Sequence, residues 1–505
     1  MNKRISYNLI GQLVSFVCSL GISFFVTPYI VNNLGAEVYG FVGLANNFTN
    51  YIVLLLVAIN GMLSRYVTVE YTKKNYEAAS GFFSTAVLTQ IILAAVLFIP
   101  MMLFAGHMEN FVNISPDIVP DVKILWVMIF FAFLAGLPMY AFATSTFATN
   151  RLEIQAIISI LSNVVKTITL LVTFFFFTPH VWYIGLATIA ANTVTMAGSY
   201  IVHKRLTPQI KISRKYFDRK YIYKLIVVGI WNSLNRLQQI LVSGLDLLLT
   251  NLFIDGTQMG LLSVAKQLPT QISVMISTVA GAFEPSMTIA YGEENEKEFL
   301  KQTQTAMKLC GFLCSVPVLG MICFGINFYS LWMPSLVYAD IIKVQILAVL
   351  TLLPEVFSIY VFPLYTVNMV TCKLKVPVLV SLGIGILNVI IVYVLLKYTG
   401  LGVYAVAGVS SILWVIRIFT FLPMYAAKNI NQKVTVFYKP LLMGVLNTVV
   451  VGTVFTVIAH FLYANSWLSF MFICLVAGIV GYIVSFMIMF NHEEKKNVIN
   501  KILKK

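Results

Sequence analysis

Seven charged side chains, Lys166, Arg236, Asp246, Lys266, Glu284, Glu355 and Arg417, lie inside stretches otherwise apolar enough to cross a lipid bilayer. A charge at the bilayer centre costs roughly 2.5–3.5 kcal/mol on insertion scales, so such residues face a protein interior or a water-filled cavity. Their chemistry divides by sign. A guanidinium grips phosphate with two parallel hydrogen bonds, and a lysine ammonium acts as a movable point charge. Arg236, Lys166, Lys266 and Arg417 are therefore candidates for holding an anionic group. Asp246, Glu284 and Glu355 can take up a proton or a cation.

The charges stand on aligned polar stripes. Asn232, Arg236, Gln239, Ser243 and Asp246 follow one another at helical spacing and share one face of a helix. Lys266, Thr270, Ser273, Ser277, Gly281 and Glu284 do the same on the next apolar stretch, and Ser159, Ser162, Lys166, Thr169 and Thr173 on an earlier one. Lipid cannot satisfy the hydrogen bonds of such groups, so the stripes are expected to face water or each other. By depth, Arg236, Lys166 and Glu355 fall near the bilayer midplane, with Arg417 slightly toward the cytoplasm. Asp246 and Lys266 fall toward the outer side and Glu284 toward the inner. Glu355 follows Pro354, with Pro363 two turns later, and proline frees helix carbonyls. Plainer roles stand beside these: Asp246 and Lys266 flank one short outer loop and can pair, while Glu284 and Arg417 can snorkel to the interface.

The elements that carry these residues are transmembrane helices. The chain has 505 residues, is 59% hydrophobic and only 10% charged, against about 25% charged in soluble domains. Apolar runs too long for the short alternating strands of a barrel recur from end to end. The expected fold is an all-α polytopic membrane protein with about fourteen transmembrane helices, from about residue 6 to about residue 490. The first run begins near Ser6 behind Lys3 and Arg4, has no small-residue cleavage site, and reads as an uncleaved first span. An even number of spans puts both termini on one side. With that side cytoplasmic, four of the 34 Lys and Arg fall within spans, three (Lys123, Lys343 and Lys397) lie outside, and the remaining 27 are cytoplasmic. That asymmetry follows the positive-inside rule. Basic loops lie against anionic membrane lipids, so the +15 net charge calls for no nucleic-acid partner.

The most basic loop separates two similar halves. Shifting the sequence by 220 residues brings Gly40, Gly61, Thr68, Tyr71 and Asn75 onto Gly260, Gly281, Thr288, Tyr291 and Asn295. Two repeats of six spans each then share one orientation, as parallel repeats about an axis along the membrane normal do. The expected organisation is an N-terminal six-helix lobe at 1–203, a basic cytoplasmic linker at 204–223 and a C-terminal six-helix lobe at 224–427. Two additional transmembrane helices at 428–490 and a basic cytoplasmic tail at 491–505 follow. The six cysteines lack metal-ligand spacing and read as inert thiols. No paired carboxylate, His cluster, Ser/His/Asp arrangement or nucleotide-binding loop is present in the sequence, so neither an enzyme nor a cofactor is expected.

The opening of the chain resembles that of a known family. Asn8, Gly11 and Pro28, then Leu34-Gly35-Ala36-Glu37-Val38-Tyr39-Gly40 and Arg65, are similar to the corresponding segment of bacterial polysaccharide flippases. These are the O-antigen and capsule repeat-unit flippases of the multidrug/oligosaccharidyl-lipid/polysaccharide exporter superfamily. The resemblance implies alternating access in a V-shaped central cavity between the lobes. It implies transfer of an undecaprenyl-pyrophosphate-linked glycan from the cytoplasmic to the outer leaflet of the bacterial cytoplasmic membrane. It also implies partnership with a polysaccharide polymerase and a chain-length regulator. In such carriers the first, second, seventh and eighth spans line the cavity. The first two spans here offer Asn8, Gln12, Ser15, Asn46 and Asn50 but no charge. On this reading Arg236 and Lys166 receive the pyrophosphate, with Arg417 and Lys266 in support and Asn232 and Gln239 as polar contacts. Glu355, Asp246 and Glu284 are the coupling candidates. Two alternatives are a cation-coupled multidrug exporter of the same superfamily, and a membrane-embedded glycan polymerase or ligase. The exporter would want a cavity of net negative charge, and the polymerase a sizeable outer loop.

Overall fold

In hydrocarbon a backbone can satisfy its polar groups within one segment only as a helix, and the chain is folded accordingly. The computed structural model describes residues 20–149, 151–371 and 373–496, which are helical, with no strand among the described residues. Two compact units divide the chain after Gly260.

In the first unit, α1 (Leu20–Leu34) leads into α2 (Ala36–Thr72), α3 (Tyr76–Gly106) and α4 (Val119–Gly136). After them come α5 (Met139–Phe142), α6 (Thr144–Ala148), α7 (Leu152–Phe176) and α8 (Tyr183–Leu206). Then α9 (Arg219–Gln239) passes through a π turn, Ile240–Gly244, into α10 (Asp246–Phe253). The division falls inside α11 (Gly256–Gly281), which continues into α12 (Glu284–Gly292). The second unit goes on with α13 (Glu296–Trp332), α14 (Tyr338–Val370), α15 (Lys375–Tyr398) and α16 (Val403–Phe419). It ends with α17 (Phe421–Asn429), α18 (Tyr438–Phe461) and α19 (Trp467–Met489).

Among the described residues, twelve helical stretches are long and apolar enough to cross a membrane. They coincide with the expected spans other than the first and the seventh. Most of the first span, with Asn8, Gly11, Gln12 and Ser15, lies outside the described residues, and α1 is its described end. The seventh is the α9–π–α10 segment, whose polar stripe lowers its hydropathy. The expected tail helix is described only over residues 492–496, which are helical, and its remainder lies outside the described residues.

The internal repeat is visible in local structure. α2, α3 and α8 begin at Ala36, Tyr76 and Tyr183, and α11, α13 and α16 begin 220 residues later at Gly256, Glu296 and Val403. The turns before α3 and α13 are built alike. Lys74 (φ 60°) and Glu294 (φ 54°) are left-handed. The side chains of Asn75 and Asn295 then accept from the backbone N–H of Ala78 and Glu298 and cap the next helix.

Each unit has its own core. Ile59, Leu63, Val67, Phe82, Phe83 and Phe142 are buried together in the first. In the second, Met307, Cys314, Tyr360 and Leu364 are buried together with Leu441 and Met489 from α18 and α19. The two C-terminal helices thus pack directly onto α13 and α14. Many large apolar side chains elsewhere, such as Phe175 and Leu468, are exposed, as lipid-facing positions must be.

Candidate functional site

The best-defined polar arrangement in the first unit is an antiparallel seam between α2 and α9. Small residues let the backbones meet: a Cβ added to Gly229 would lie 2.0 Å from the carbonyl oxygen of Ala58. Close approach of this kind is how helices associate where no hydrophobic force drives them together. One turn further along, Ser233 Oγ donates to Leu54 O at 3.1 Å. Asn232 fills the space over Gly61.

The next turn brings Arg236 to the seam. Its Nη2 donates to Asn50 Oδ1 and its Nη1 to Gln239 Oε1, both at 2.9 Å. The guanidinium Nε is buried and has no hydrogen-bond partner. Both partners are neutral amides, and no carboxylate pairs with Arg236 among the described residues, so the full positive charge is retained. Beyond it the π turn interrupts the helix and exposes the Gly244 carbonyl. That oxygen accepts from Tyr51 Oη at 2.7 Å and from Asn47 Nδ2 at 3.1 Å. Such π turns recur at functional sites. Asp246 opens α10 immediately after it, 4% exposed, at the positive end of the helix dipole.

The N-terminal end of α2 is anchored by the motif that carried the family resemblance. Gly35 adopts φ 90°, which favours glycine, and turns the chain into α2. The Glu37 carboxylate accepts from the N–H and Oγ of Ser115 at 3.0 and 2.7 Å. The loop that carries Ser115 is zipped to α10, because Asn113 and Asn251 exchange bonds of 2.7–2.8 Å. Lys166 stands apart from this seam, half-buried on α7, with no hydrogen bond or ion pair among the described residues. One turn before it, Ser162 Oγ donates to Ala191 O on α8 at 2.8 Å.

The second unit holds the remaining predicted residues. Glu355 on α14 accepts a 2.6 Å hydrogen bond from Ser273 Oγ on α11. Arg417 on α16 is only 4% exposed. Its Nη1 donates to Tyr365 Oη at 2.8 Å, and its guanidinium lies 4.4 Å from the Trp414 ring, a cation–π arrangement. Lys266 is half-buried on α11. Glu284 starts α12 ahead of Pro285, where a carboxylate complements the helix dipole.

The structure therefore joins Arg236 and Gln239 with Asn50, which the sequence had offered among the polar residues of the first two spans, and adds Tyr51 and the Gly244 carbonyl, which it had not. It brings Glu355 together with Ser273, and Arg417 with two aromatic rings. The hydroxyl stripes found a partner that sequence reasoning had not weighed. Thr169, Thr173, Thr270 and Ser277 bond carbonyls three or four residues back in their own helices. A further face, Thr188, Asn192, Thr195 and Ser199 on α8, had the same helical spacing and went unremarked.

The chain matches the family described as polysaccharide biosynthesis protein over residues 3–290. It is 25% identical over 502 residues to the uncharacterized membrane protein EpsK of Bacillus subtilis (strain 168), covering 99% of this chain and 98% of that protein. Among solved structures it is similar to the lipid II flippase MurJ in an inward closed conformation. The TM-score is 0.70 at 16% identity, covering 96% of this chain and 98% of that one. It is also similar to a multidrug resistance MATE family transporter of the MOP superfamily in an inward-facing conformation. There the TM-score is 0.64 at 16% identity, with 84% and 98% covered. The chain is a multi-pass membrane protein that belongs to the polysaccharide biosynthesis protein family, built on the fold of the flippases and transporters of the MOP superfamily.

Proposed function

We propose that the protein is an alternating-access flippase for an undecaprenyl-pyrophosphate-linked oligosaccharide repeat unit. It turns this lipid from the cytoplasmic to the outer leaflet of the bacterial cytoplasmic membrane, with both its termini cytoplasmic. The observation that carries the reading is Arg236: a membrane-embedded guanidinium held by Asn50 and Gln239, with Nε free and, among the described residues, no carboxylate to neutralise it. A pyrophosphate supplies the missing counter-charge and a two-pronged acceptor. Lys166 lends a second positive charge, with Arg417 and Lys266 in support, and Asn232 and Gln239 offer polar contacts. Glu355, held by Ser273, is the first choice for proton or ion coupling, ahead of Asp246 and Glu284. Residues 1–203 and 224–427 act as the two six-helix repeats, with a polymerase and a chain-length regulator as partners in the same pathway.

The test is a deletion strain complemented with Arg236→Gln. A hydrogen bond to a charged group contributes about 1.5–3 kcal/mol, so recognition should fall roughly ten- to hundred-fold. Surface polysaccharide should be lost while the protein stays in the membrane, and Arg236→Lys should recover part of it. Undiminished polysaccharide in Arg236→Gln would refute the assignment. A deletion strain with normal polysaccharide but new sensitivity to cationic drugs would favour a multidrug exporter.

A further inference from the structure

The first unit holds a half-open cavity of about 270 Å³, with a mixed polar and apolar lining, among α2, α4, α5, α7 and α8. A water occupies roughly 30 Å³ of liquid, and small-molecule sites begin near 300 Å³, so the space suits one ligand of sugar size. α8 lines it with Thr188, Asn192, Thr195 and Ser199 on one face, and α2 with Asn46 and Thr49. Gln155 from α7 and Tyr140 from α5 complete the polar lining.

Asn46 Nδ2 donates to Val42 O and Asn192 Nδ2 to Ala132 O. The hydroxyls of Thr49, Thr188 and Thr195 donate to carbonyls of their own helices. Five donor hydrogens are thereby spent, and the amide oxygens of Asn46 and Asn192 and the hydroxyl lone pairs remain as acceptors beside the second amide hydrogen of each asparagine. Gln155 Oε1 is buried with no hydrogen-bond partner, an unmet acceptor of the kind that calls for a ligand. Among the described residues no acidic or basic side chain lines the cavity, so they offer an ion no counter-charge. Tyr140, 52% exposed, presents a ring face beside the acceptors.

We propose that this cavity binds a neutral pyranose, one sugar of the glycan that the protein carries. A pyranose brings several hydroxyl donors, needs no counter-charge, and has an apolar C–H face for the Tyr140 ring. The inference rests on the flippase reading, but its test uses free sugars and requires no lipid.

The experiment is saturation-transfer NMR on the purified full-length protein, with glucose, galactose and N-acetylglucosamine as probes. At least one sugar should receive saturation from the wild type. Affinity should fall roughly five- to thirty-fold in Gln155→Leu and in the milder Thr195→Val, the loss expected for one or two neutral hydrogen bonds. It should persist in Arg236→Gln. Absence of transfer from all three sugars overturns the proposal, as does transfer unchanged in both cavity variants. A sodium-dependent gain in thermal stability that Gln155→Leu abolishes, without sugar transfer, would instead make the cavity an ion site and overturn it too. Sugar transfer together with intact surface polysaccharide in Arg236→Gln would uphold the cavity and reject the pyrophosphate assignment.

Discussion

Gly229→Ala adds one methyl group where the seam between α2 and α9 has no room for it. The new Cβ would lie 2.0 Å from Ala58 O, 2.6 Å from its carbonyl carbon and 2.7 Å from its Cα. Helix backbone cannot rotate aside as a side chain can, so the two helices must part by about 1 Å to restore even a close van der Waals contact. The Arg236–Asn50 bond of 2.9 Å lies two turns along the same interface. Carried to that point, the displacement stretches it to about 3.9 Å, well past the roughly 3.2 Å reach of a working N–H···O bond.

Overpacking of this kind costs about 1–3 kcal/mol and the bond to the guanidinium about 1.5–3, against a gain of up to about 1 kcal/mol in helix propensity. The expected net loss is roughly 2–5 kcal/mol by the same figures. It should appear as a lower thermal-unfolding midpoint of the purified protein, and as reduced surface polysaccharide in a complemented deletion strain. Gly478→Ala on α19, where an added Cβ meets nothing within 4 Å, serves as the control and should match the wild type. Wild-type behaviour of Gly229→Ala in both assays would show that the seam does not position Arg236.

Two further substitutions test other parts of the structure. Glu37→Gln weakens the paired bonds to Ser115 and should cost about 1–3 kcal/mol of local stability, seen as faster hydrogen exchange across residues 113–115; exchange at the wild-type rate would count against the anchoring role. Arg417→Met replaces a buried cation that has no carboxylate partner among the described residues with an apolar side chain of similar length. Removing the charge relieves its desolvation cost, so the unfolding midpoint should hold or rise, and a clear fall would mean that Arg417 serves the fold.

Much of the fold was legible because length and hydropathy dictate it: a long apolar run has no folded state in lipid other than a helix. The repeat was legible too, since Asn75 and Asn295 do one capping job 220 residues apart. Leu34-Gly35-Ala36-Glu37-Val38-Tyr39-Gly40 was readable as a pattern but not as a mechanism. Gly35 supplies a left-handed turn, and Glu37 holds a loop that begins some eighty residues later. The stripe with Arg236 pointed to a charge that must be accommodated, while its partner Asn50 sits 186 residues away and could emerge only from packing. Hydroxyl stripes proved weaker signals than amide or charged ones. A serine or threonine can return its hydrogen to its own helix, as Thr169 and Thr173 do, whereas a guanidinium cannot. The α8 face lacked a charge to draw attention, although Asn192 carried the same information.

The identity of Arg236's neighbours separates a structural from a binding role. A buried guanidinium that serves only the fold is best held by a carboxylate, because leaving one charge of a pair uncompensated costs several kcal/mol. Asn50 and Gln239 satisfy its geometry but not its charge, and a buried Nε remains open. Such a site is less stable empty than when it holds an anion, so its net charge favours a ligand that brings negative charge with it. Glu355 mirrors this in the second unit, where a neutral hydroxyl from Ser273, not a cation, meets the carboxylate. On the flippase proposal, a cation left without a carboxylate and an acid met by the neutral hydroxyls of Ser273 and Ser358 would let binding and coupling be separate events. Pairing both internally would have made a more stable protein and a poorer transporter.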